Sequence, residues 1–137
     1  MTTHSQEETE ELAAAFAASL AGGEVVLLSG ELGTGKTAFV RGLARGLGVD
    51  PREVASPTFV LLASYQGRLA LHHADLYRLR GDGDEAELGL EELPGRAGVL
   101  AVEWAERLSG QPWPRAIRVR LRHAGGDVRR ITIEEAA

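Results

Sequence analysis

The sequence predicts a three-layer α/β domain with a mixed parallel and antiparallel sheet and a C-terminal β-hairpin. Three observations predict it. Aliphatic strands and amphipathic helical stretches alternate early in the chain, strand pairs joined by turn residues dominate later, and a glycine-rich loop links the first long strand to the second helix. One domain over 1–137 suits the length, which is enough to bury about two-thirds of the surface the unfolded chain exposes.

Ser5 followed by Glu8 has the spacing of a capping box, and Leu12, Phe16 and Leu20 recur every four residues behind it, so a helix is expected over about 6–21, ended by Gly22-Gly23. Glu24 to Ser29 reads as a strand. From Lys36 the residues Phe39, Val40, Leu43 and Leu47 trace a second helical stripe that stops at Gly48, with Pro51 beyond it. Thr58 to Ser64 and Arg68 to Tyr77 read as a hairpin around Gln66-Gly67. Gly81 to Asp84 reads as a loop, Asp84 to Leu93 as an acidic helix, and Val99 to Val102 as a buried strand. After a joint at Pro112 and Pro114, Ala116 to Arg122 and Val128 to Ile133 alternate cleanly around His123 to Asp127, a second hairpin.

The chain carries 15 Lys+Arg against 20 Asp+Glu, a net charge of −5, and no cysteine. Disulfide frameworks, Cys-ligated zinc, iron–sulfur clusters and cysteine nucleophiles are therefore excluded. The first 24 residues hold five Glu and no Lys or Arg, the reverse of a signal or transit peptide, and no apolar run nears the roughly 18 residues a membrane span needs. A soluble, cytoplasmic protein is expected. Fourteen of the fifteen basic residues are arginine, and the single lysine is Lys36. An ammonium is a compact, flexible point charge where guanidinium is a wide planar fork, so Lys36 marks a place where the two are not interchangeable.

Lys36 stands in Gly30-Glu31-Leu32-Gly33-Thr34-Gly35-Lys36-Thr37, which matches the phosphate-binding pattern G-x-x-x-x-G-K-[ST], between an aliphatic strand and an amphipathic helix as that chemistry requires. The glycines let the backbone curl until successive N–H groups face phosphate oxygens, and the helix dipole adds to the attraction. In such a loop Lys36 reaches the β- and γ-phosphates and the Thr37 hydroxyl ligates Mg²⁺. An acidic partner is expected at the end of another buried strand, to hold metal or orient water, and Glu103 after Val99-Leu-Ala-Val102 fits. Trp104 either covers the nucleotide site or packs in the core. Leu69, Leu71, His73, Asp75 and Tyr77 share one strand face by the two-residue period, which makes Asp75 either a second metal or water ligand or a surface carboxylate. Ser56-Pro57-Thr58 is an extended loop where switch segments of nucleotide hydrolases lie, or a plain turn. An Asn/Thr-Lys-x-Asp guanine motif is impossible with the only lysine already committed, so adenine is the expected base. Arg118, Arg120 and Arg122 share one strand face, with Arg129 and Arg130 on the partner, a basic patch that either meets RNA or an acidic protein or defends a solvated edge.

In order, Gly30-Glu-Leu-Gly-Thr-Gly-Lys-Thr-Ala-Phe-Val-Arg-Gly42, Ser56-Pro-Thr-Phe59 with Tyr65, His73-Ala-Asp-Leu-Tyr-Arg78 and Glu103-Trp104 resemble the TsaE (YjeE) family over nearly the whole chain. The resemblance implies a P-loop NTPase-like fold and a Mg²⁺-dependent ATPase in tRNA threonylcarbamoyladenosine biosynthesis. Such an ATPase is weak alone, works with the partners TsaB and TsaD, and meets tRNA indirectly through their complex. It places nucleotide at residues Gly30 through Ala38, with Ser56 and Thr58 as a switch, Trp104 beside the site, Asp75 and Glu103 as the acids of the Mg²⁺–ATP site with Thr37, and Lys36, Asp75 and Glu103 as the catalytic set. Two positions depart from the family pattern: Ala74 stands where an aromatic is usual, and Ala105 where Pro often follows Glu-Trp. The alternative readings are a small-molecule P-loop kinase, which would need an arginine-bearing lid that Gly81 to Asp84 is too short and acidic to supply, and a nucleotide sensor that never hydrolyses.

Overall fold

The computed structural model describes residues 1–31, 33–54, 62–76, 95, 97–105, 113 and 115–135. A seven-stranded mixed sheet organises them: β1 (Thr2–Thr3), β2 (Val25–Ser29), β3 (Leu62–Tyr65), β4 (Ala70–Asp75), β5 (Gly98–Glu103), β6 (Ile117–His123) and β7 (Arg129–Glu134), in the order β1-β7-β6-β2-β5-β4-β3. The inner strands β4, β5, β2 and β6 are parallel, and antiparallel partners flank them on both sides. The expected α/β class and mixed sheet are present. The acidic stretch 84–93 lies outside the described residues.

Helix α1 (Gln6–Ala17) begins as its sequence requires, with the Ser5 hydroxyl accepting from the Glu8 N–H at 3.1 Å. The return arm of the box is shifted by one residue: the Glu8 carboxylate accepts from the His4 N–H at 3.1 Å. The helix stops short of the expected Ala21. The Ser19 hydroxyl takes the Phe16 carbonyl at 2.7 Å, and the Arg68 guanidinium donates to the carbonyls of Ala17 and Leu20, satisfying groups that would otherwise extend the helix. That arginine comes from the turn of the β3–β4 hairpin, so a contact distant in sequence sets the helix end.

Helix α2 (Lys36–Gly46) lies beside α1 on one face of the sheet, over a core that includes Val26, Leu28, Leu71, Val99, Ala101, Val119, Leu121 and Ile131. The deepest residues of α1 are Ala13 and Ala17 rather than the predicted leucine and phenylalanine stripe. They meet glycines of α2. A Cβ placed on Gly42 would lie 2.3 Å from the Glu10 carbonyl oxygen and 2.5 Å from the Ala13 Cβ, and one on Gly46 would lie 2.5 Å from the Ala14 oxygen. Alanine in a helix ordinarily gains up to about 1 kcal/mol over glycine. At Gly42 the sign reverses: Gly42→Ala is expected to destabilise the chain by about 1–3 kcal/mol, because the helices must part to admit the methyl. A urea midpoint equal to or above the parent's would refute this packing.

The opposite face of β2, β4 and β5 carries a second apolar cluster of Val25, Leu27, Ala74, Leu100 and Val102, joined by Leu76, Ala105 and Ala116 and flanked by Leu62, Trp104 and Trp113. Both faces of the central strands are thus apolar, as expected for parallel strands. The first hairpin pairs Tyr65 with Leu71 and Leu62 with Ala74. In the second, Arg118, Arg120 and Arg122 project from the exposed side of β6 while Ile117, Val119 and Leu121 are buried. Arg130 lies opposite Arg122 and joins the basic face, but Arg129 lies opposite His123 on the other side, so the predicted patch loses one arginine. Nor is it an edge defence. β6 sits between β2 and β7, and the two-residue β1, too short to leave a pattern in sequence, pairs with β7 beyond it.

Candidate nucleotide site

The carboxyl ends of β2, β4 and β5 come together because their register places Leu28 beside Glu103 and Glu103 beside Asp75. In open parallel sheets this edge is where ligands bind. The loop after β2 curls there: Gly30, Gly33 and Gly35 have φ of +149°, +78° and +99°. Gly30 is demanded twice over, since a Cβ on it would meet the Leu121 carbonyl oxygen at 2.5 Å and the Thr34 hydroxyl at 2.8 Å. Thr34 ties the curl by donating from its hydroxyl to the Glu31 carbonyl at 2.8 Å, and Gly35 opens α2.

Lys36 is nearly buried, and its ammonium donates to the carbonyls of Gly30 and, at 3.2 Å, Glu31. The Trp104 ring lies over that ammonium at 3.5 Å from the centroid, an arrangement stabilised by the negative face of the indole. Trp104 is the one non-glycine residue with positive φ among those described, at +60°. Of the two readings of Trp104, the structure shows the packing one, with the half-buried ring flanking the second core cluster, and it also lays that ring over the loop's lysine.

Thr37, in the first turn of α2, donates from Oγ1 to Glu103 Oε1 at 3.2 Å and Oε2 at 3.4 Å. Glu103 is 3% exposed and Asp75 7%, so neither is a surface carboxylate. The Glu103 carboxylate also meets the His73 Nε2 at 2.5 Å. Ala38, next along α2, is buried. Among the described residues no three His, Asp or Glu converge as a closed metal cage. A hydroxyl and a carboxylate side by side nevertheless fit Mg²⁺, which is commonly held by one or two hard oxygen ligands together with phosphates and water. Tyr65, at the end of β3, is a phenol that burial, reinforced by the Glu53 charge, pushes above its ordinary range.

The structure therefore brings together Gly30, Glu31, Gly33, Thr34, Gly35, Lys36, Thr37, Ala38, Asp75, Glu103 and Trp104, while Leu32, Ser56 and Thr58 lie outside the described residues. Two neighbours were absent from the predicted site. His73 contacts Glu103 and was legible in principle, because the alternation Leu71, His73, Asp75 places it on the acid's own face. Arg129 donates to the Gly33 carbonyl at 3.3 Å, a contact 96 residues apart that no local pattern announces.

A glycine loop between strand and helix, at the carboxyl edge of parallel strands and facing an acid on the neighbouring strand, defines an α/β protein of the P-loop NTPase-like class. Within that class the assignment is specific. Residues 3–131 match the sequence model of the family described as threonylcarbamoyl adenosine biosynthesis protein TsaE, and the chain belongs to that family. Its relatives include the tRNA threonylcarbamoyladenosine biosynthesis proteins TsaE of Treponema pallidum (44% identical, covering 81% of this chain and 82% of the relative) and Bacillus subtilis (40% identical, covering 95% and 81%). The crystal structure of Bacillus subtilis YdiB superposes with a TM-score of 0.77 at 34% identity, covering 100% of this chain and 84% of that one.

Proposed function

We propose that this chain is the Mg²⁺-dependent, ATP-binding and ATP-hydrolysing subunit that supports repeated turnover in tRNA threonylcarbamoyladenosine modification, working in the cytoplasm with TsaB and TsaD and meeting tRNA through their complex. The observation that carries the reading is the hydrogen bond between Thr37 of the glycine loop and Glu103 of β5, which joins a phosphate cradle to a buried acid. Bound Mg²⁺ would supply positive charge that offsets the charge of the phosphates. The loop N–H groups and Lys36 bind the phosphates, the Thr37 hydroxyl and the two acids would hold the metal, the acids orient water, and Trp104 shields the lysine from solvent. Water then attacks the γ-phosphorus, the bond to the β–γ bridging oxygen breaks, and ADP and phosphate leave. The family's place in tRNA threonylcarbamoyladenosine biosynthesis supports coupling this cycle to that modification. No described helix is long and apolar enough to cross a membrane.

The test combines TsaB, TsaD, tRNA and threonylcarbamoyl-adenylate with and without this chain and hydrolysable ATP. Modified tRNA is expected to accumulate over many rounds only when both are present. Equal product without the chain would overturn the role. Phosphate transfer from ATP to a small acceptor would favour a kinase, and tight ATP binding with no hydrolysis in the full mixture would favour a sensor.

A further inference from the structure

We propose that His73 is a positioning residue that holds the Glu103 carboxylate against the Thr37 hydroxyl through a hydrogen bond from its Nε2. The inference rests on the reading of Glu103 as an acid of the hydrolytic site. His73 lies near the end of β4, one alternation before Asp75, is 0% exposed, and shares the helix-bearing face with Leu71. Parallel pairing sets His73 beside Ala101 of β5, whose small side chain leaves the imidazole room to reach the next residue on the same face, Glu103. There Nε2 stands 2.5 Å from Oε2, while Thr37 Oγ1 donates to the same carboxylate. An ionised carboxylate only accepts, so Nε2 is the nitrogen that donates to Glu103, and the other ring nitrogen is Nδ1. That Nδ1 is buried and has no hydrogen-bond partner among the described residues.

A ring nitrogen sealed away without a partner costs stability, and an apolar side chain of similar volume would fill the space without that cost. What the imidazole adds is direction. A glutamate side chain turns about three bonds, and with only a threonine hydroxyl on it the carboxylate could rotate out of line with the loop. The histidine fixes one oxygen from behind and leaves the other toward Thr37. Displacement of a catalytic group by about 1 Å can cost on the order of a hundredfold in rate, so a residue that touches no substrate can still govern turnover.

The experiment compares ATP turnover, ATP affinity and melting temperature in the parent, His73→Leu, His73→Gln, Glu103→Gln and the double variant His73→Leu/Glu103→Gln. His73→Leu is expected to lower kcat about 10- to 100-fold while leaving ATP affinity within about twofold and the melting temperature at or above the parent's. His73→Gln, which restores a side-chain N–H, is expected to recover part of the rate and keeps the test open should the leucine variant fold poorly. With Glu103 already replaced, His73→Leu should change little, because its effect runs through that carboxylate. A parental rate in His73→Leu overturns the inference, as does an equal slowing in the Glu103→Gln background or a parallel loss of ATP binding and thermal stability in both histidine variants. Parental turnover in Glu103→Gln alone overturns the reading of Glu103 and this inference with it.

Discussion

Replacing Lys36 by alanine is expected to weaken ATP binding about 10- to 100-fold or abolish it, the loss appropriate to one or more charge-assisted hydrogen bonds in a sheltered site. Lys36 is the only ammonium side chain in the protein, 5% exposed, and rooted at the start of α2 among backbone donors that alone cannot neutralise a triphosphate. Its head is held by the carbonyls of Gly30 and Glu31 beneath Trp104, so phosphate binding would exchange carbonyl oxygens for phosphate oxygens. Lys36→Arg should fare little better, since a planar fork suits neither the indole-covered slot nor the curled loop. Calorimetry with ATP and GTP checks both points: equal ATP affinity in parent and Lys36→Ala would remove the phosphate-loop assignment, and tighter GTP than ATP binding would reverse the expected base preference.

Glu103→Gln and Asp75→Asn should bind nucleotide nearly as the parent does and yet hydrolyse it at least about 100-fold more slowly, within the range by which a positioned acid or base accelerates such reactions. Neither side chain builds the phosphate cradle. Both stand at the ends of adjacent parallel strands, nearly buried, with Glu103 already joined to Thr37. Amide for carboxylate keeps size and shape while removing the charge that metal or attacking water requires. Stopped-time phosphate release beside nucleotide titration separates the two properties. Parental rates in both variants would show that the reacting water lies elsewhere.

How much of this was legible in the chain itself varied with how local the cause was. The starts of both helices, the strand before the loop, the second hairpin and the described part of the first follow from capping residues, glycines and apolar periods that act over a few residues, and they stand close to where the pattern put them. The glycine loop was legible for the same reason: its curl is a property of Gly30, Gly33 and Gly35 themselves. Asp75 and Glu103 could be nominated from strand-end position, but their adjacency depends on the parallel register of β4 and β5, which no single segment contains.

By itself, then, the sequence determined an α/β chain with one phosphate-type loop, one lysine in it, no thiol chemistry and a family resemblance that the comparison with relatives establishes. Tertiary structure alone decided the early stop of α1 at the Arg68 guanidinium, the glycine-to-alanine seam between α1 and α2, the β1 strand that covers β7, and which of Arg129 and Arg130 joins the face of Arg118, Arg120 and Arg122. It also decided that Trp104 would sit on Lys36 and His73 on Glu103. The physical reason is common to all of these: local propensity acts through neighbours in the chain, whereas a buried charge or a close helix contact is set by groups tens of residues away that only packing brings within a few ångströms.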